Sequence, residues 1–188
     1  MPDNQQFLIA LGGNLPSEAG KPADTLRAAL DRLVQSGVVV EAVSRFFRTP
    51  CFPAGAGPDY VNAAAVLRYH GDPQTLLRVL HEVEAHFGRD REVRWARRTL
   101  DLDLIAAGDA VLPNAEGHAA WRNLPAEQQA MRAPDELILP HPRLQDRAFV
   151  LVPLADVAAE WCHPVLNKTV SQMLEALEPD AVDEVVAL

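Results

Sequence analysis

Over the first 110 residues the apolar positions switch between a period of two and a period of about 3.6, and each switch is punctuated by Gly or Pro. Phe7 to Leu11 is a short apolar run stopped by Gly12-Gly13-Asn14, which predicts a strand. Pro22 to Gln35 places Leu26, Leu30, Leu33 and Val34 at helical spacing, with Gly37 as the stop. Val38 to Phe47 is rich in β-branched and aromatic residues and predicts one strand. Cys51 to Pro58 carries Pro53, Gly55, Gly57 and Pro58, a loop composition. Tyr60 to Tyr69 is the next strand. Asp72-Pro73 supplies an N-cap and a proline for the first turn of a helix whose faces hold Leu76, Leu77, Leu80, Val83, Glu84 and Phe87, up to Gly88. Thr99 to Ala106 is a further strand, in which Leu alternates with Asp.

The order strand, helix, strand, strand, helix, strand is the split βαβ arrangement. It predicts an α+β fold of ferredoxin-like type, a βαββαβ core with an antiparallel sheet and helices packed on it. After it, Leu112 to Asp135 contains Pro113, Pro125 and Pro134 with room for a short helix, and is expected as a surface insertion over 111–134. Leu137 to His141 runs into Pro-His-Pro, Phe149 to Val157 is apolar and helical or turn-like, and Thr169 to Leu177 has the spacing of a last amphipathic helix. With no internal repeat or linker, residues 1–188 are expected as a single domain.

Composition narrows the function. A chain of 188 residues, 48% hydrophobic and 23% charged, can bury a core without disulfides, and Cys51 and Cys162 lack metal-ligand spacing. The net charge of −9 argues against a nucleic-acid partner, because such binding needs basic surface to neutralise phosphates. No apolar run approaches bilayer length, and Met1 to Gln6 is too polar for a signal peptide, so a cytoplasmic protein without a membrane partner is expected.

Against that acidic background Arg89, Arg91, Arg94, Arg97 and Arg98 crowd together and lead directly into Asp101 and Asp103. In a strand the two Asp share one face, roughly 6–7 Å apart, and the leucines take the other. Paired carboxylates suit a hard divalent cation, Mg2+ above all, and guanidinium forks suit phosphate oxygens. Together they suggest a magnesium-nucleotide site. The alternation alone is equally what any half-buried strand looks like. Neither a Walker loop nor a Gly-x-Gly-x-x-Gly motif occurs, so a nucleotide would bind without those cradles.

Five segments in combination carry a resemblance: Ala10-Leu11-Gly12-Gly13-Asn14-Leu15, Phe47-Arg48-Thr49-Pro50, Pro58-Asp59-Tyr60-Val61-Asn62-Ala63, the run from Arg94 to Asp103 with its Arg-Thr-Leu-Asp-Leu-Asp core, and Leu139-Pro140-His141-Pro142-Arg143. The chain resembles the 6-hydroxymethyl-7,8-dihydropterin pyrophosphokinases of folate biosynthesis. The resemblance implies transfer of pyrophosphate from ATP to the hydroxymethyl oxygen of a reduced pterin, releasing AMP. It implies that Asp101 and Asp103 hold two Mg2+ ions, that Arg89, Arg91 and Arg98 join them as the catalytic groups at the phosphates, and that Trp95 belongs to a lid. For the pterin it implies stacking by Tyr60 and Phe149, hydrogen bonding by Asn62, and an edge completed by Thr49, Pro50 and Phe52, with Trp95 beside them. For ATP it adds His81, Glu84, Leu104, His141 and Arg147. Small-molecule substrates and a monomer are expected.

This chain departs from many relatives at His81, where they carry Gln, and at Glu136 and Ile138, where they carry Arg and Thr. Two other readings remain at this point. A ferredoxin-like module binding RNA or a regulatory nucleotide without turnover would want a basic sheet face with exposed aromatics, which the acidic balance and the paired strand carboxylates disfavour. An ATP phosphotransferase yielding ADP is separated from pyrophosphoryl transfer by the resemblance alone.

Overall fold

In the computed structural model, which describes residues 5–51, 57–88, 99–132 and 134–188, the chain runs β1 (Gln5–Gly13), α1 (Pro22–Gln35), β2 (Val39–Val43), β3 (Phe47–Thr49), β4 (Tyr60–Tyr69), α2 (Pro73–His86) and β5 (Asp101–Ala107). It continues through α3 (Ala115–Arg122), α4 (Ala126–Met131), a 3-10 turn at Leu144–Asp146, α5 (Ala148–Ala158), the hairpin β6 (Cys162–His163) and β7 (Lys168–Thr169), α6 (Val170–Glu175), α7 (Pro179–Asp183) and β8 (Val186–Ala187). The main sheet has the order β5-β1-β4-β3-β8, with β2 also on β4, and all its described pairings are antiparallel. That is the ferredoxin-like order, with the second strand delivered in two pieces.

The split of Val38 to Phe47 corrects the single strand expected there. Ser44 N–H donates to the Ala64 carbonyl at 2.9 Å, and Ala64 N–H donates to the Ser44 hydroxyl at 2.9 Å, so a side chain replaces a ladder carbonyl. The register also shifts between Val40 and Ala42. A bulged strand bends. Arg45, at the bend, reaches across to α5 and grips Asp156 with Nε at 2.9 Å and Nη2 at 2.8 Å.

Both faces of the sheet are covered. Phe7, Ile9, Leu11, Leu67, Leu102 and Leu104 pack under α1 and α2 against Leu26, Leu33, Leu76 and Leu80. Leu8, Ala64, Val66 and Ala106 pack under α5 and α6 against Val150, Leu151, Leu154, Val170 and Met173. β4 is buried on both sides from Asn62 to Leu67, which explains its unbroken apolar run. α2 starts where Asp72 accepts the Thr75 N–H at 2.7 Å, a cap that lowers the Asp72 carboxyl pKa. Thr169 and Gln172 form a capping box on α6. Among the described residues, no helix is long and apolar enough to cross a membrane.

The outer edge of β5 is covered by chain that follows it. Leu112 and Leu139 exchange backbone bonds at 2.8 and 3.2 Å, and His141 N–H donates to the Ile105 carbonyl at 2.8 Å. The 111–134 stretch, expected at the surface, is held inward by that Leu112 pairing and by His118, which is fully buried and whose Nε2–H donates to the Pro140 carbonyl at 3.0 Å.

His118 stands beside the equally buried His163, ring centroids 5.9 Å apart, and His163 Nδ1 accepts the N–H groups of Val165 and Leu166 at 3.2 and 3.3 Å. Burial, then the neighbouring charges of His118 and Arg122, pushes His163 down to about 4. Burial, with Arg122 adding to it and the Pro140 bond opposing it, lowers His118. Folded values below the ordinary 6.5 mean that the unfolded chain takes up more protons. The stabilisation is therefore fully present above 6.5 and is lost as pH falls from there toward 4. We expect the melting temperature to hold from pH 8 to 7 and to drop by pH 5.5, with both histidines acting in the same direction. His163→Asn, which keeps an acceptor for those N–H groups, should flatten the decline. A melting temperature independent of pH over this range would contradict the arrangement.

Candidate active site

The rank of residues that crosses the sheet at the start of β5 sets the geometry. Asp101 pairs with Gly12, Gly12 with Asn62, and Asn62 with Phe47, so one row links four strands. With strands about 4.8 Å apart, Asp101 and Asn62 lie about 10 Å from each other, and Asp103 is one repeat along on the same face. Gly12 leaves room in this row, since a Cβ there would stand 3.1 Å from Asn62 Oδ1 and press on that side chain. The Asn62 amide donates to the Thr49 hydroxyl at 2.7 Å, and Thr49 itself pairs with Tyr60. Thr49, Tyr60, Asn62, Asp101 and Asp103 thus share one face near one end of the sheet. Phe149, in the first turn of α5 on that same face, is 42% exposed, and the Arg147 guanidinium lies 5.7 Å from its ring centre. Pro50 is exposed at the end of β3.

A cavity of about 440 Å³ opens along the outer edge of β5, and His81, Asp103, Leu104, His141, Arg143 and Arg147 are among its lining residues. His141 Nδ1 accepts the Arg143 N–H at 3.1 Å, which leaves the ring proton on Nε2. Burial, then the charges of Arg147 and Arg143, pushes His141 down to about 3, with Asp101 opposing. His141 is therefore a neutral donor flanked by two guanidinium groups, an arrangement suited to phosphate oxygens.

Glu84, expected at the nucleotide, is held against β5. Its side chain is fully buried, and Oε1 accepts the Leu102 N–H at 2.7 Å. It braces the Asp-bearing strand and does not border the cavity, which His81 on the same helix does. Arg89, Arg91, Trp95, Arg98 and Phe52 lie outside the described residues. Sequence reasoning missed Trp121 and Arg132, which also line the cavity. The only signal was an aromatic at helical spacing from His118. Glu136 and Ile138 line it too, the first exposed and the second buried.

Among the described residues, no group of three or more His, Cys, Asp or Glu side chains could hold a metal. Two carboxylates on one face are instead the donor set of a cation such as Mg2+, which keeps water and phosphate oxygens as its other ligands. Asp101 and Asp103 fit it.

Four matches connect this chain to known proteins. The family model for 7,8-dihydro-6-hydroxymethylpterin-pyrophosphokinase (HPPK) matches residues 8–159. The 2-amino-4-hydroxy-6-hydroxymethyldihydropteridine pyrophosphokinase of Synechocystis sp. is 37% identical over 93% of this chain and 77% of its own length. The protein of the same name from Haemophilus influenzae is 31% identical over 89% of this chain and 92% of its own. The crystal structure of Plasmodium falciparum HPPK-DHPS superposes with a TM-score of 0.64 over 92% of this chain at 16% identity, a likeness of fold. This chain spans 41% of that longer one.

Proposed function

The chain belongs to the 7,8-dihydro-6-hydroxymethylpterin-pyrophosphokinase family, and from that premise we propose that it transfers pyrophosphate from ATP to 6-hydroxymethyl-7,8-dihydropterin, giving AMP and the pterin diphosphate in folate biosynthesis. The observation that carries this reading is that Asp103, which lines a phosphate-suited cavity, is one same-face repeat from Asp101, whose row through Gly12 reaches Asn62 on a polar and aromatic sheet face about 10 Å away.

ATP lies in the cavity along β5, with apolar Leu104 and Leu77 against its base end and the His141 Nε2–H and Arg147 donating to its phosphates. Arg89, Arg91 and Arg98 add to that grip. Asp101 and Asp103 would hold two Mg2+ ions, which when bound supply neutralising charge to the phosphates during transfer. The pterin lies over the sheet face, its amide-like edge read by Asn62 and the backbone of Thr49 to Phe52, its rings against Tyr60 and Phe149. The resemblance gives Trp95, outside the described residues, the part of a lid in this reading. The hydroxymethyl oxygen then bonds to the β-phosphorus, the bond from that phosphorus to the α-bridging oxygen breaks, AMP leaves with the electron pair, and the hydroxyl proton passes to solvent. His141, held neutral, orients the phosphates without exchanging a proton near neutral pH.

Residues 1–188 act as one pyrophosphokinase domain, as a monomer on small molecules in the cytoplasm. The acidic balance supports the absence of a nucleic-acid partner. The test is the nucleotide product: with ATP, Mg2+ and the pterin, AMP is expected in step with pterin consumption, and with pterin omitted ATP should remain. Accumulation of ADP under single-turnover conditions would favour ordinary phosphoryl transfer instead.

A further inference from the structure

One wall of the cavity has no part in the chemistry above. Trp121, in the last turn of α3, and Arg132, just past α4, both line it, and the Arg132 guanidinium lies 6.0 Å from the centre of the Trp121 ring. That separation is within cation-π range. Their place along the cavity follows from the fold. Glu84 is level with Leu102 through its 2.7 Å bond. α2 runs antiparallel to β5, so moving back to Leu77 covers about 10 Å of helix, or about three residues of strand, and ends near Ile105. The insertion attaches at this same level, because His118 holds Pro140, whose neighbour His141 bonds Ile105. Trp121 is one turn beyond His118, hence on the same side of α3. The carboxylates therefore mark one end of the cavity and Leu77, Trp121 and Arg132 the other, with His141, bonded to Ile105 through its backbone and with its ring in electrostatic reach of Asp101, between them. A flat, uncharged ring system belongs at that second end, with its phosphates directed toward the first.

We propose that Trp121 and Arg132, supplied by the 111–134 insertion, form the base-recognition wall of the nucleotide site, the paired indole and guanidinium packing against the purine of ATP. This rests on the reading that the cavity takes ATP, and adds to it which residues hold the base. His118 anchors the wall, and Asn114, whose Oδ1 accepts the Gly117 N–H at 2.9 Å, starts the helix that carries it.

The test uses the full chain with Mg2+ and compares calorimetric binding of α,β-methylene ATP, which has a base, with inorganic tripolyphosphate, which has none. Trp121→Ala should weaken the ATP analogue about tenfold, within the range for loss of one aromatic-base stack, and leave tripolyphosphate within about twofold. Arg132→Ala, a change at an exposed position, should act in the same direction and less strongly. Trp121→Phe should restore most of the loss, which a collapsed fold would not permit. Unchanged analogue binding in Trp121→Ala, or equal weakening of both ligands, overturns the wall. Wild-type protein that binds neither ligand overturns the cavity assignment itself, a separate outcome.

Discussion

Asp103→Ala should lower turnover by at least about a hundredfold, the scale of losing one preorganised electrostatic contact, while the protein remains folded. Asp101→Ala should do the same. The two carboxylates occupy successive same-face positions on β5 and pair across to Ala10 and Gly12. In the absence of metal they repel, so removing one should leave thermal stability unchanged or slightly raised. A merely solvated strand face would also tolerate the change in stability, but it would tolerate it in activity too. The discriminating pair of measurements is thermal unfolding without ligand and the initial rate across a Mg2+ titration. Near wild-type rates with an unaltered Mg2+ dependence would remove the metal from the mechanism and return the alternation to ordinary strand patterning.

The second large effect falls on stability. Glu84 is fully buried with Oε1 on the Leu102 N–H, so Glu84→Ala leaves an enclosed backbone donor without its acceptor and opens space between α2 and β5. The two costs together come to about 3 kcal/mol or more, which for a chain of this size lowers the melting temperature by roughly 6–12 °C. Glu84→Gln retains a carbonyl for the same N–H and should lose considerably less. The KM for ATP of the Gln variant should stay within a few-fold of wild type, because this side chain does not border the cavity. A stable Glu84→Ala protein with a KM raised tenfold would place the group at the nucleotide after all.

Glu84 also illustrates what the sequence could and could not convey. Its position on a helix face was readable from the spacing of Leu76, Leu80 and Val83. Its bond to Leu102 was not, because that depends on how α2 docks on a strand eighteen residues away. α1 and β4 were legible to the residue, the first from helical periodicity and the second from a continuous apolar run, each bounded by turn residues. The β2–β3 break was not, since Ser44 replaces a ladder carbonyl with its side chain, and a pattern of β-branched residues carries no sign of that. β8 escaped notice because two residues are too few to show a period. Within the site, Asp101, Asp103, Asn62 and His141 stood out by residue type and motif. The neutral, Nε2-protonated state of His141 did not, being set by the Arg143 backbone and by burial. Trp121 and Arg132 looked like surface residues because their inward placement depends on the Leu112–Leu139 pairing and the His118–Pro140 bond, both of which span more than twenty residues.

The reaction moves two phosphoryl units together onto the pterin. Phosphorus NMR of the completed reaction with ATP, Mg2+ and 6-hydroxymethyl-7,8-dihydropterin tests it most directly. The expected spectrum has a mutually coupled pair of phosphorus signals on the pterin and a single uncoupled signal from AMP. A single uncoupled signal on the pterin, together with the coupled pair of ADP, would contradict it.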